Sequence, residues 1–159
     1  MTTLEPVTAL LALVLLATLT GIEFCVAAFF HPVLDRLDHR VRVDARALSA
    51  ARLGAVMPFG YAFAAGAAAA ATAAPAFGDG SVASTGLWGL ATATLIGIIG
   101  TTIVVLVPLN NHIAEGDADP ERNGDHAGLD ALARWDRLHR MRTAALALTV
   151  LLEIGAALA

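Results

Sequence analysis

The sequence predicts an all-α integral membrane protein, an antiparallel four-helix bundle with the N-terminus and the C-terminus both non-cytoplasmic. Three observations predict it. The 159-residue chain is 57% hydrophobic and 15% charged, with a mean hydropathy of +0.70, more apolar surface than a water-soluble core of that size can bury. Its apolar residues gather in four runs, each close to the ~20 residues that cross ~30 Å of hydrocarbon. Its ten basic residues, all arginine, lie in only two of the stretches that flank those runs.

The first span covers about 6–30. Glu5 stands where a secretory signal would carry positive charge, and no cleavage-like end follows, so this segment is read as a retained helix. The second span covers about 53–74, with Gly54, Gly60, Gly66 and the alanines from Ala67 to Ala71 as a small-residue face for close helix approach. Pro75, Gly78 and Gly80 break the chain into a short turn, which makes the second and third spans antiparallel neighbours. The third span covers about 86–109 and carries Gly97 and Gly100. The fourth covers about 143–159, extended on its cytoplasmic side by helix over about 129–142. The acidic run Glu115, Asp117, Asp119, Glu121 and Asp125 before it reads as solvated loop. The whole chain, 1–159, reads as one domain.

Orientation follows from the arginines. Arg36, Arg40, Arg42, Arg46 and Arg52 flank the second span, and Arg122, Arg134, Arg137, Arg140 and Arg142 precede the fourth. The 75–85 connection and both ends hold none, and positive charge is retained on the cytoplasmic side. These observations predict a multi-pass protein of the cell membrane. The net charge of −4 belongs to the connections and implies no nucleic-acid partner. Cys25, the single cysteine, excludes an intramolecular disulfide and a multi-cysteine zinc site.

Polar residues inside the spans carry the functional signal. Glu23 and Glu153 are carboxylates at membrane depth, where an ionised acid costs a few kcal/mol, so each must face the interior or be protonated. Counted from the cytoplasmic edge, the two could occupy the same layer. Trp135, His139, Arg142, Leu146, Thr149 and Glu153 recur at intervals of three and four and form one stripe of a continuous helix. A stripe with a ring, an imidazole, a guanidinium and an acid is read as interior-facing. His31, before Pro32, and Asn110, Asn111 and His112, after Pro108, fall at the same level as His139 and Arg142. Trp88 and Trp135, taken singly, read as interfacial anchors, and His39 and His126 as solvated. His31 and His139 are the candidate metal ligands. Imidazoles with a carboxylate suit copper or iron, while a haem between two helices is less favoured because nothing specific demands it.

The segments Val107-Pro108-Leu109-Asn110-Asn111 and Trp135-Asp136-Arg137-Leu138-His139-Arg140-Met141-Arg142-Thr143, with Gly21-Ile22-Glu23-Phe24 and His31-Pro32, resemble the anthrone-oxygenase-like family of four-helix membrane proteins. The resemblance covers essentially the whole chain. It implies an oxygenase or oxidoreductase, with or without a metal, acting on a lipophilic aromatic molecule that enters from the bilayer. Glu23 or His139 would remove an activated C–H proton, and Arg142 or Asn110 would stabilise the oxyanion. Two other readings stand beside it. In one the protein is non-enzymatic and handles protons, ions or small molecules through Glu23 and Glu153. In the other the buried polar groups only fasten helices together. The glycine faces also suit a homo-oligomer.

Overall fold

The computed structural model describes residues 4–77, 81–114 and 125–159. Glu115, Asp117, Asp119 and Glu121 of the expected acidic run, the turn glycines Gly78 and Gly80, and the side chains of His39, Asp125 and His126 lie outside what it describes. The described residues are all-helical, and four of the helices are long and apolar enough to span a membrane: Glu5–Leu34, Arg40–Ala73, Val82–Ala114 and Asp130–Leu158. Only 22–28% of each apolar window is buried inside the protein, so most of the apolar surface must face lipid rather than water. Phe59, Phe63, Ile96 and Val104 are among the large side chains turned outward. The molecule is a membrane protein.

The first spanning helix begins as α1 (Leu4–Cys25), widens into a π turn at Val26–Phe30 and ends as α2 (His31–Leu34). The second is α3 (His39–Ala73), closed by a 3₁₀ turn at Ala74–Phe77. The third runs as α4 (Val82–Thr101), a second π turn at Thr102–Leu106, and α5 (Val107–Ala114). The fourth is α6 (Asp125–Leu158). Helix begins well before the expected second span because the preceding residues are rich in Ala and Arg, which are strong helix formers. Hydropathy marks where lipid starts, not where helix starts.

The two π turns have a common cause. Each ends two residues before a proline, Pro32 or Pro108, which has no N–H to offer and crowds the preceding turn. The His31 N–H reaches back five residues to the Val26 carbonyl, and the Val107 N–H to that of Thr102. One extra residue is thereby absorbed in each helix. For the first helix this decides which residues share a face. Eight residues of α-helix would set Glu23 and His31 about 80° apart, and absorbing one residue brings them within about 20°.

The chain forms two compact units, and each spanning helix contributes a segment to both. One unit comprises Met1–Gly21, Phe59–Ile99 and Ala144–Ala159. Its core is built from small residues, with Ala12, Ala67, Ala71 and Ala156 around Trp88. Trp88 is 3% exposed, which corrects its reading as an interfacial anchor: the alanines leave the volume that the indole fills. Hydrogen bonds tie the segments, between the Thr72 and Thr92 hydroxyls (2.9 Å) and from Ser84 Oγ to the Ala156 carbonyl (2.7 Å). Such bonds are worth about 0.6–2 kcal/mol in a membrane.

The other unit comprises Ile22–Pro58 and Gly100–Thr143. Ala50, Leu106, Ile113, Leu132 and Trp135 make its apolar core, with Val26, Leu109, Ala114 and Leu138 against them. Trp135 is therefore also buried in protein rather than anchored at an interface. Against that core lie Glu23, His31, Arg46, His139 and Thr143, all buried.

Candidate functional site

The second unit gathers its polar side chains into two linked clusters. In the first, Arg142 Nη2 donates to Glu23 Oε2 at 2.7 Å and lies 3.0 Å from His139 Nδ1. His139 Nδ1 is also 3.1 Å from Glu23 Oε2, and its Nε2 is 3.1 Å from the Glu23 carbonyl oxygen. With Nε2–H donating to that carbonyl, Nδ1 is the acceptor for Arg142, and both ring nitrogens are engaged. The Glu23 carbonyl lies in the turn before the π turn, so one residue meets the imidazole through both side chain and backbone. Thr143 Oγ1 donates to the His139 carbonyl at 2.9 Å.

In the second cluster, His31 Nδ1 lies 3.0 Å from Asp136 Oδ1. Arg46 donates to both oxygens of the same carboxylate, Nη1 to Oδ1 at 2.6 Å and Nη2 to Oδ2 at 3.1 Å, and Nη2 also reaches Asp35 Oδ1 at 2.9 Å. This two-pronged grip fixes the carboxylate plane as well as its position. Aromatic rings join the two clusters. Trp135 stacks on His139, with centroids 4.7 Å apart and planes 11° apart. It meets His31 edgewise at 4.8 Å, and the two imidazoles are 5.5 Å apart.

A cleft with about 260 Å³ of empty space, part of it open to the surroundings, borders this assembly. His31, Arg46, Ser49, Leu53, Leu132 and Trp135 are among its walls. Its enclosed room is only about 10 Å³, enough for about one water, so the cleft is a shallow opening beside the His31 ring rather than a closed pocket.

Of the residues singled out in the sequence, the structure brings together Glu23, His31, His139 and Arg142. Asn110 is used otherwise: its Nδ2 donates to the Ala50 carbonyl at 3.0 Å and fastens α5 to α3. Asn111 and His112 are exposed. Glu153 belongs to the other unit, fully buried, and neither carboxyl oxygen has a hydrogen-bond partner among the described residues. Asp136, Arg46 and Asp35 were not named as site residues from the sequence, since they sit among charged residues typical of a solvated flank. A usable signal was Asp136 directly beside Trp135, at the buried edge of the stripe.

His31 and His139 do not fit a metal in this arrangement. Both nitrogens of His139 are taken by Glu23 and Arg142, which leaves His31 Nε2 without a second imidazole to share an ion, and no group of three His, Cys, Asp or Glu among the described residues could hold one. No step below passes through one.

The family model described as anthrone oxygenase matches residues 47–152, about two thirds of the chain. The match includes Asn110, Trp135, Asp136, His139 and Arg142, and begins after Glu23, His31 and Arg46. No curated protein and no solved structure matches the chain.

Proposed function

Because the chain belongs to the anthrone oxygenase family, we propose that it is a membrane-embedded oxygenase that oxidises a lipophilic aromatic ketone of the anthrone class to a quinone. The observation that carries this reading beyond kinship is the buried Glu23–Arg142–His139 cluster beside Trp135 in one unit. A charged constellation in a membrane protein is expensive and is kept where charge must be handled. An apolar planar substrate would partition into the bilayer and reach the cleft between helices.

The chemistry asks for a base and a cation. Removing a proton from the methylene opposite the ketone moves the electron pair onto the carbonyl oxygen, and a buried positive charge such as Arg142 stabilises that oxyanion. Molecular oxygen then adds to the carbon, and loss of water leaves the quinone. The sum is anthrone plus O₂ giving anthraquinone plus water. The arginine distribution supports a cell-membrane protein with cytoplasmic Arg-rich flanks and both termini outside. Its partners are then the lipid bilayer and the small-molecule substrate, and its glycine faces leave a homo-oligomer open.

The test is direct. Purified protein in lipid nanodiscs, supplied with anthrone in air-saturated buffer, should form anthraquinone with one O₂ consumed per quinone and faster than empty nanodiscs. No acceleration would sink the reading. A second reading, proton or cation handling, is favoured by the buried carboxyl of Glu153, which has no hydrogen-bond partner among the described residues. It requires ion-driven flux in proteoliposomes that disappears in Glu153→Gln.

A further inference from the structure

His31 is held as a catalytic histidine is held. Its Nδ1 faces Asp136 Oδ1 at 3.0 Å, and that carboxylate is locked by two hydrogen bonds from Arg46. Trp135 packs edgewise against the ring, and the residue is 5% exposed. A carboxylate acceptor at Nδ1 keeps the proton there and leaves Nε2 with its lone pair. Nε2 has no hydrogen-bond partner among the described residues, and His31 lines the cleft. His139 differs in each respect that matters for taking a proton: its two nitrogens already face Glu23 and Arg142.

We propose that Asp136 and His31 form the base of this site, with His31 Nε2 taking the C–H proton of a planar aromatic ketone whose methylene edge meets the mouth of the cleft. The inference rests on the oxygenase reading and names the atom that performs its first step. The walls suit such a ligand: Trp135, Leu132, Leu53 and Ile113 are apolar, while Arg46 and Ser49 give one side polarity.

The step balances. The methylene C–H bond breaks, its proton goes to His31 Nε2, and its electron pair delocalises onto the ketone oxygen. Oxygen, the co-reactant, forms a C–O bond at that carbon, and the His31 proton completes the hydroperoxide. A second C–H cleavage at the same carbon by His31, with O–O scission and departure of hydroxide, gives the quinone. The proton returned from His31 makes that hydroxide water and restores the base. Asp136 touches no substrate. It is a positioning residue that holds the ring and stabilises the imidazolium formed at each transfer.

Proton removal can be read without oxidation. Protein in nanodiscs, with anthrone in deuterated buffer under nitrogen, should speed exchange of the methylene protons above the spontaneous rate, followed by NMR. His31→Gln should lose the catalysed exchange, and quinone formation in air should fall about 10²–10⁴-fold, the usual worth of general base catalysis. Asp136→Asn keeps the packing but loses the acceptor that sets the tautomer, so it should lower both rates at nearly unchanged KM, and Asp136→Glu should recover part of them. Cooperative thermal unfolding confirms that each variant is folded. Wild-type exchange and quinone formation in both His31→Gln and Asp136→Asn would overturn the inference and leave the oxygenase reading standing. A wild-type protein that neither exchanges nor oxidises anthrone would overturn that reading and the inference with it.

Discussion

The Trp135 indole and the His139 imidazole lie face to face, 4.7 Å apart and 11° from parallel. They are four residues apart on α6, one turn of helix, so the stack is built into a single element and both rings are buried. Trp135 also sets the edge against which His31 rests. Trp135→Ala should cost about 3–5 kcal/mol, the range for a buried tryptophan, and Trp135→Phe much less. A double-mutant cycle with His139→Leu should assign about 0.5–1.5 kcal/mol of this to the stack itself. Chemical or thermal unfolding in detergent measures both.

Glu23 and Arg142 pair at 2.7 Å with side chains 3% and 13% exposed. Removing one member strands the other, so Glu23→Gln and Arg142→Met should each destabilise by about 3–5 kcal/mol. The double variant should be clearly more stable than the sum of the two losses predicts, because it leaves no uncompensated charge. Additive losses would show that the pair contributes nothing specific.

The four spans were legible because lipid imposes a length and an apolar composition that few other structures need. The Trp135–His139–Arg142 stripe was legible because helical spacing alone puts those residues on one face. The alignment of Glu23 with His31 was not, since it depends on a π turn that changes the register by one residue. The prolines at positions 32 and 108 mark where such turns end, but proline also permits a plain kink. The pairing of Arg46 with Asp136 spans 90 positions. No periodicity reports a contact between two different helices, so Arg46 read only as one of the orienting arginines and Asp136 was not singled out.

Gly54 and Asn110 form a close approach that a larger residue would spoil. A Cβ at position 54 would come within 2.9 Å of Asn110 Nδ2, the atom that donates to the Ala50 carbonyl. Gly54→Ala should therefore displace the amide and cost about 1–2 kcal/mol, the worth of a buried hydrogen bond and its unsatisfied acceptor. In an Asn110→Ala background the same glycine substitution should be nearly neutral, since the obstructing amide is gone. Equal losses in both backgrounds would mean that the glycine matters for another reason.

Glu153 is 0% exposed, and both of its carboxyl oxygens are buried without a hydrogen-bond partner among the described residues. It sits on α6 one turn after Thr149, whose hydroxyl is turned back to the Ala145 carbonyl. A polar group held in this way opposes folding, at about 1–3 kcal/mol on scales from protein variants. Glu153→Met, similar in length and apolar, should therefore stabilise the protein by about that amount, while Glu153→Gln leaves an amide equally unpartnered and should change stability little. Thermal unfolding of the two variants side by side decides it. A loss of stability in Glu153→Met would mean that the carboxyl is held by a partner, and a gain with anthrone oxidation unchanged would set Glu153 apart from the His31–Asp136 chemistry.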